Sequence, residues 1–68
     1  MNLTKRENDI LIFIRDFIDD FGFPPTYREI ADGLYLSSVY SVQRHVVHLI
    51  DKGYLIYTPN RHRSLKIV

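Results

Sequence analysis

A mainly α fold, three helices closed by a small β-hairpin, follows from three features of the sequence. Two Thr-x-x-Glu boxes, Thr4 with Glu7 and Thr26 with Glu29, mark helix starts, because each hydroxyl and carboxylate satisfies a free N–H of the first turn. Apolar residues then recur at spacings of three and four. After Gly53 that period gives way to two short β-prone runs.

The first helix starts at the Thr4 box and carries Ile10, Phe13, Ile14, Phe17, Ile18 and Phe21 on one face, widened by Leu11 and Ile12. Gly22 offers the left-handed residue that closes it. In a domain this small nearly every large apolar residue is needed inside, so this aromatic-rich face is expected in the core rather than in a partner-binding groove. The prolines of "GFPPT" deny helical geometry to the residues before them, and the Thr26 box opens a short second helix over 27–33 with Ile30, Ala31 and Leu34 facing in. After a short turn, Ser37 or Ser38 caps a third helix that runs to Lys52 and stops at Gly53. Lys52 sits at the negative end of that helix dipole. Residues 54–58 and 64–68 then flank a polar loop with Pro59 and Asn60, a hairpin signature in which Leu65 and Ile67 point one way and Lys66 the other.

Size and composition narrow the function. A chain of 68 residues buries only about 60% of its unfolded surface, enough for one core and a poor basis for a catalytic cleft. The absence of cysteine removes disulfides, thiolate nucleophiles and thiolate zinc sites, and it fits a reducing compartment. His45, His48 and His62 have no second ligand class nearby, and no Ser/His/Asp or paired-carboxylate arrangement is present in the pattern. Neither enzyme activity nor a cofactor is therefore expected. No apolar run approaches the roughly 18 residues of a membrane span, and "MNLTKRENDIL" lacks the basic-then-apolar order of a signal peptide, so a soluble, cytoplasmic protein is expected. The net charge of +1 is divided: residues 1–34 carry four Lys/Arg against seven Asp/Glu, a balance of −3, and residues 35–68 carry five against one, a balance of +4. Such asymmetry points modestly to a polyanionic partner for the second half.

A helical wheel of the third helix groups Val42, Val46 and Leu49 on the core side, with Val39, His45 and Ile50 at its margins. The opposite side centres on Arg44, with Tyr40, Val47 and Asp51 close by, Ser41 and His48 on one flank and Gln43 on the other. Solvated helix faces usually show Lys, Glu and Asp. This face shows side chains that read DNA: Gln pairs bidentately with adenine, Arg with guanine, and Ser and Tyr reach phosphates or a thymine methyl. The wheel leaves a protein partner open. In the hairpin loop, Arg61, His62 and Arg63 suit phosphate or minor-groove contacts, and a hairpin after a recognition helix is the wing of winged-helix proteins. A basic tip also discourages edge-to-edge strand pairing. His45, at the core margin, is expected to donate a hydrogen bond that fixes the helix, and His48 to reach a phosphate.

The order "LTKRENDILIFIRDFI", "GFPPTYREIADGL", "LSSVYSVQRHVVHLIDKG" and a hairpin ending in "SLKIV" resembles the DNA-binding domain of LexA repressors without gaps from Leu3 to Val68. The pieces "G-F-P-P-T-x-x-E-I-A" and "H-V-x-x-L-x-x-K-G-Y-L" are its most specific parts. The resemblance implies a winged helix-turn-helix domain that docks its third helix in the major groove of operator DNA and represses transcription in the SOS response, usually as a dimer on a two-fold symmetric site. It places Ser38 at the helix-capping serine near the backbone, Tyr40, Ser41, Gln43 and Arg44 at base-reading positions, Lys52 at a phosphate-contacting lysine, and Arg61 to Ser64 in the wing. Thr26, Arg28 and His48 complete the candidate DNA-contacting set.

Two positions depart from the family pattern. Tyr35 stands where the turn glycine is common, so the chain either adopts a costly left-handed backbone there or makes a different turn. Tyr40 is bulkier than the Asn or Ser expected at its position. LexA repressors also carry a dimerising, self-cleaving domain after a linker, and this sequence stops where that linker would start, as a fragment or as a free-standing bacterial or phage relative. Damage-triggered self-cleavage is not expected of it. As a double-stranded DNA binder it is expected to be a monomer alone and a dimer on DNA. The alternative from another class is a winged-helix module that pairs with another regulator through the Tyr40, Val47 and Tyr54 side.

Overall fold

Thr4 opens helix α1 (Lys5–Phe21) in extended backbone, its N–H donating to Glu7 Oε1 at 2.9 Å while its Oγ1 accepts from Glu7 N at 3.1 Å. This is a computed structural model, and it describes residues 3–68. The same reciprocal box at Thr26 and Glu29 opens helix α2 (Tyr27–Gly33). Helix α3 (Val39–Asp51) is capped by Ser38 rather than Ser37, with Ser38 Oγ accepting from Ser41 N. Strands β1 (Leu55–Ile56) and β2 (Lys66–Ile67) pair antiparallel, Leu55 opposite Ile67 and Ile56 opposite Lys66.

The apolar spacing converges on one core. Ile10 and Ile14 of α1, Ile30 and Ala31 of α2, and Val42, Val46 and Leu49 of α3 are buried, and Leu55 and Leu65 of the hairpin close it from below. Val39, His45 and Ile50 are half-buried, as the wheel anticipates. Helix α2 lies close on α1 at Gly33, where an added Cβ would overlap the Phe13 ring.

The far end of α1 departs from expectation. Phe21 is 59% exposed and Phe23 43%, and with Phe17 they form a surface cluster of rings with centroids 4.5 to 6.2 Å apart. The 17-residue α1 buries Glu7, Ile10 and Ile14 in its first ten residues, and its last turn runs past that buried core.

Helix ends show how the turn of the motif is made. After α3, Gly53 is left-handed (φ 85°), its N–H donates to Ile50 O, and Tyr54 N donates to Leu49 O, the paired bonds of a Schellman closure. The same two bonds close α2, from Tyr35 N to Asp32 O and from Leu36 N to Ala31 O, but the left-handed residue is Tyr35 (φ 56°). The chain therefore keeps the glycine-type turn with a tyrosine in it. Tyr35 is 94% exposed and gains no packing in return. Removing a left-handed penalty of about 1–2 kcal/mol, less the roughly 0.5–1 kcal/mol of chain entropy that glycine adds, Tyr35→Gly is expected to stabilise the domain. A rise of up to about 6 °C in the thermal midpoint is the expected reading, and a lower midpoint would refute the strain.

The hairpin is shorter than the β-prone runs that predict it. Of residues 54–58 and of residues 64–68, only two each join the ladder, extended by one further bond from Val68 N to Tyr54 O. Three features end the ladder early. Pro59 has no N–H to give, Asn60 and Arg63 are left-handed, and the Ser64 hydroxyl bonds Thr58 O across the loop.

Candidate nucleic-acid interface

The outward side of α3 is built by the inward one. Burying Val42, Val46 and Leu49 turns Tyr40, Gln43, Arg44, Val47 and His48 to solvent, where these five line a shallow depression of about 220 Å³. Tyr40 is 68% exposed. Among the described residues, the side chains of Tyr40, Gln43 and Arg44 form no hydrogen bond or ion pair. Their donors and acceptors are unspent. Ser41 is half-buried, its N–H bound to the Ser38 cap, and Ser38 spends its own hydroxyl on that cap.

Lys52 and His48 converge on a residue that reads in the sequence only as part of a helix cap. Glu7 is buried, 2% exposed, and its Oε1 accepts from Lys52 Nζ at 2.6 Å as well as from Thr4 N; His48 Nδ1 lies 3.8 Å from Oε2. The Lys52 hydrogen bond, and then the Thr4 N–H, hold the Glu7 carboxyl below its ordinary range. Lys52 is thereby placed at the end of α3 by the start of α1. The His45 ring makes no hydrogen bond among the described residues, contrary to expectation, and burial lowers its pKa.

The wing divides its three basic residues. Arg61 and His62 are exposed, but Arg63 is turned inward. Its guanidinium donates Nη1 to Glu29 Oε1 at 2.7 Å and to Pro24 O at 3.1 Å, donates Nη2 to Glu29 Oε2 at 3.0 Å, and lies 4.7 Å from the centre of the Phe23 ring. The planar fork finds a carboxylate, a carbonyl and an aromatic face together, which a water-exposed loop tip does not offer. Arg63 thus fastens the wing to α2 instead of projecting from it. A groove between wing and α2 results, lined in part by Thr26, Arg61, His62 and Ser64. The Thr26 hydroxyl is used as the α2 cap, and Arg28 is exposed in the first turn of that helix.

Glu7 and Glu29 organise the site, and sequence reasoning does not find them in that role. Both are legible as capping boxes, but nothing local marks the basic partners 45 and 34 positions away.

Two predictions arise here. Arg61→Ala is expected to flatten the logarithmic salt dependence of DNA binding by about 0.9, the share of one neutralised phosphate, with the unfolding midpoint unchanged. Arg63→Ala should instead lower the unfolding midpoint; equal behaviour of the two variants would refute the distinction. The second concerns acid. The Arg63 hydrogen bonds, then the Thr26 N–H, lower Glu29 from 4.5 to about 2. A carboxylate depressed in the folded state contributes stability that is present above the unfolded pKa and lost as pH falls through the folded one. Stability should therefore decline between about pH 4.5 and 2, and Glu29→Gln should shallow that decline in urea unfolding across the range. An identical pH slope in the variant would count against the ion pair.

Three helices with a short turn between the second and third, followed by a two-strand hairpin, define a winged helix-turn-helix, a DNA-binding class of domain. A family model described as the LexA DNA binding domain matches residues 1–64. The LexA repressor of Carboxydothermus hydrogenoformans is 41% identical over 66 residues, 97% of this chain and 32% of that protein. Those of Limosilactobacillus fermentum and Staphylococcus aureus are 42% and 36% identical, each over 97% of this chain and 32% of theirs. The chain belongs to the LexA DNA-binding domain family. It spans about a third of the length of the curated relatives it matches.

Proposed function

We propose that the domain binds operator DNA sequence-specifically as a repressor, with α3 in the major groove and the wing on the backbone. The observation that carries this reading is the unspent face of α3, where exposed Gln43 and Arg44 present bidentate donors and acceptors beside the Tyr40 hydroxyl. Arg44 and Gln43 read base edges. Ser38, Lys52, Arg61, His62 and Arg28 lie at or near phosphates, and they position the domain without specifying sequence. Two copies on a two-fold symmetric operator, in a cytoplasm where DNA is accessible, complete the proposal.

Selection of bound duplexes from a random DNA pool tests it. Enrichment of one short motif is expected, whereas retention without enrichment would reduce the domain to a non-specific polyanion binder. The rival reading, a protein-interaction surface through Tyr40, Val47 and Tyr54, is supported by the exposure of Tyr40 and Val47. It is weakened at its third member, because Tyr54 packs against the core.

A further inference from the structure

Val47 is the outward residue of α3 that neither the core nor the polar contacts account for. It is 46% exposed and shares its depression with the Tyr40 ring, two helical turns earlier, and with Gln43, Arg44 and His48. Single exposed apolar residues are ordinary. Here Val47 lines one depression with side chains that are the best partners of base edges, and the Tyr40 ring lies about 10 Å along the helix axis at its other end.

We infer that Val47 seats the C5-methyl of a thymine and is a specificity-determining residue of this domain. The inference rests on the major-groove placement proposed above. Thymine is the base whose major-groove edge carries a methyl group, and it lies beside acceptors that Arg and Gln can reach, so an exposed valine one turn from Arg44 and Gln43 matches an edge of that kind. Spacing adds a register. Val47 follows Arg44 by three residues, about 4.5 Å along the helix axis against a rise of about 3.4 Å per base, so the thymine falls within about two base pairs of the one that Arg44 reads. The seat is open and apolar, and a methyl fills it without displacing a hydrogen bond.

Deoxyuridine, which differs from thymidine by that methyl alone, provides the test. Each thymine of the site recovered by selection is replaced in turn, and binding is titrated for the wild type and for Val47→Ala, an exposed helical position where alanine is well tolerated. Burying one methyl corresponds to about a fourfold effect, so a three- to fivefold loss is expected at one position per half-site in the wild type and none in Val47→Ala. That position must lie within about two base pairs of the one relaxed by Arg44→Ala. No uridine effect at any thymine, with the motif and the Arg44 effect intact, would overturn the seat and leave the DNA-reading face standing. A uridine effect that persists in Val47→Ala would remove Val47 from the seat. Failure of selection to return any motif would overturn both.

Discussion

Arg44→Ala is expected to weaken binding to the preferred site about 5- to 150-fold, the equivalent of about 1–3 kcal/mol, and to relax preference at a single base pair. Arg44 stands at the centre of the outward face of α3, exposed, with no ion pair among the described residues to hold it back. A guanidinium in that position has two routes to DNA. Bidentate pairing to guanine N7 and O6 carries sequence information, whereas contact with a phosphate does not. The two are separated by comparison with random DNA. A base reader loses affinity on its site far more than elsewhere, and a phosphate binder loses it equally on both. Equal losses would move Arg44 to the backbone and shift the reading role to Gln43 and Tyr40. Stability should be unaffected, because the side chain contributes nothing to the core.

Helix boundaries were legible in the sequence because their causes are local. Thr4 and Glu7, Thr26 and Glu29, Ser38, Gly22 and Gly53 each act within one turn of their own position. The outward face of α3 was legible for a related reason: once Val42, Val46 and Leu49 go inward, the helical period decides the rest. Tyr35 shows the limit of local reading. A tyrosine at a glycine position offered two outcomes, and only the paired bonds to Asp32 O and Ala31 O, made possible by the packing of α2, select the left-handed one.

The wing and the end of α1 were not legible, since their geometry depends on partners distant in sequence. Arg63 reads as one of three basic residues at a loop tip until Glu29 and Phe23 come within reach of it. The strands shorten because Asn60 and Arg63 turn left-handed and Ser64 bonds Thr58 O, a loop geometry that β-prone composition does not show. Phe21 fits the helical period of the buried face, yet a period does not reveal where the buried core stops. Periodicity assigns a direction to a side chain, and only the tertiary neighbours determine whether anything lies in that direction.

Two copies joined by a linker that spans neighbouring half-sites are expected to bind a paired site about 10²- to 10⁴-fold more tightly than one copy binds a lone half-site. A single module this small engages limited surface, and specific DNA binders typically reach about 10⁻⁸ M or better, with symmetric dimers doing so by engaging two half-sites about 34–36 Å apart. Among the described residues, two surfaces could serve a dimer, and neither is well suited to it. Its ladder of two residues per strand offers almost no edge for pairing across copies. The Phe17, Phe21 and Phe23 cluster is apolar, but α1 sets exposed Asp19 and Asp20 beside it, and self-apposition would bring like charges together. A monomer in sedimentation, with micromolar binding to one half-site, is the expected starting point. The gain from tethering should appear when half-site spacing matches the linker and vanish when the linker is too short to span it. A stable dimer without DNA, or nanomolar binding to a lone half-site, would reveal an interface in this domain that neither the wing ladder nor the aromatic cluster accounts for.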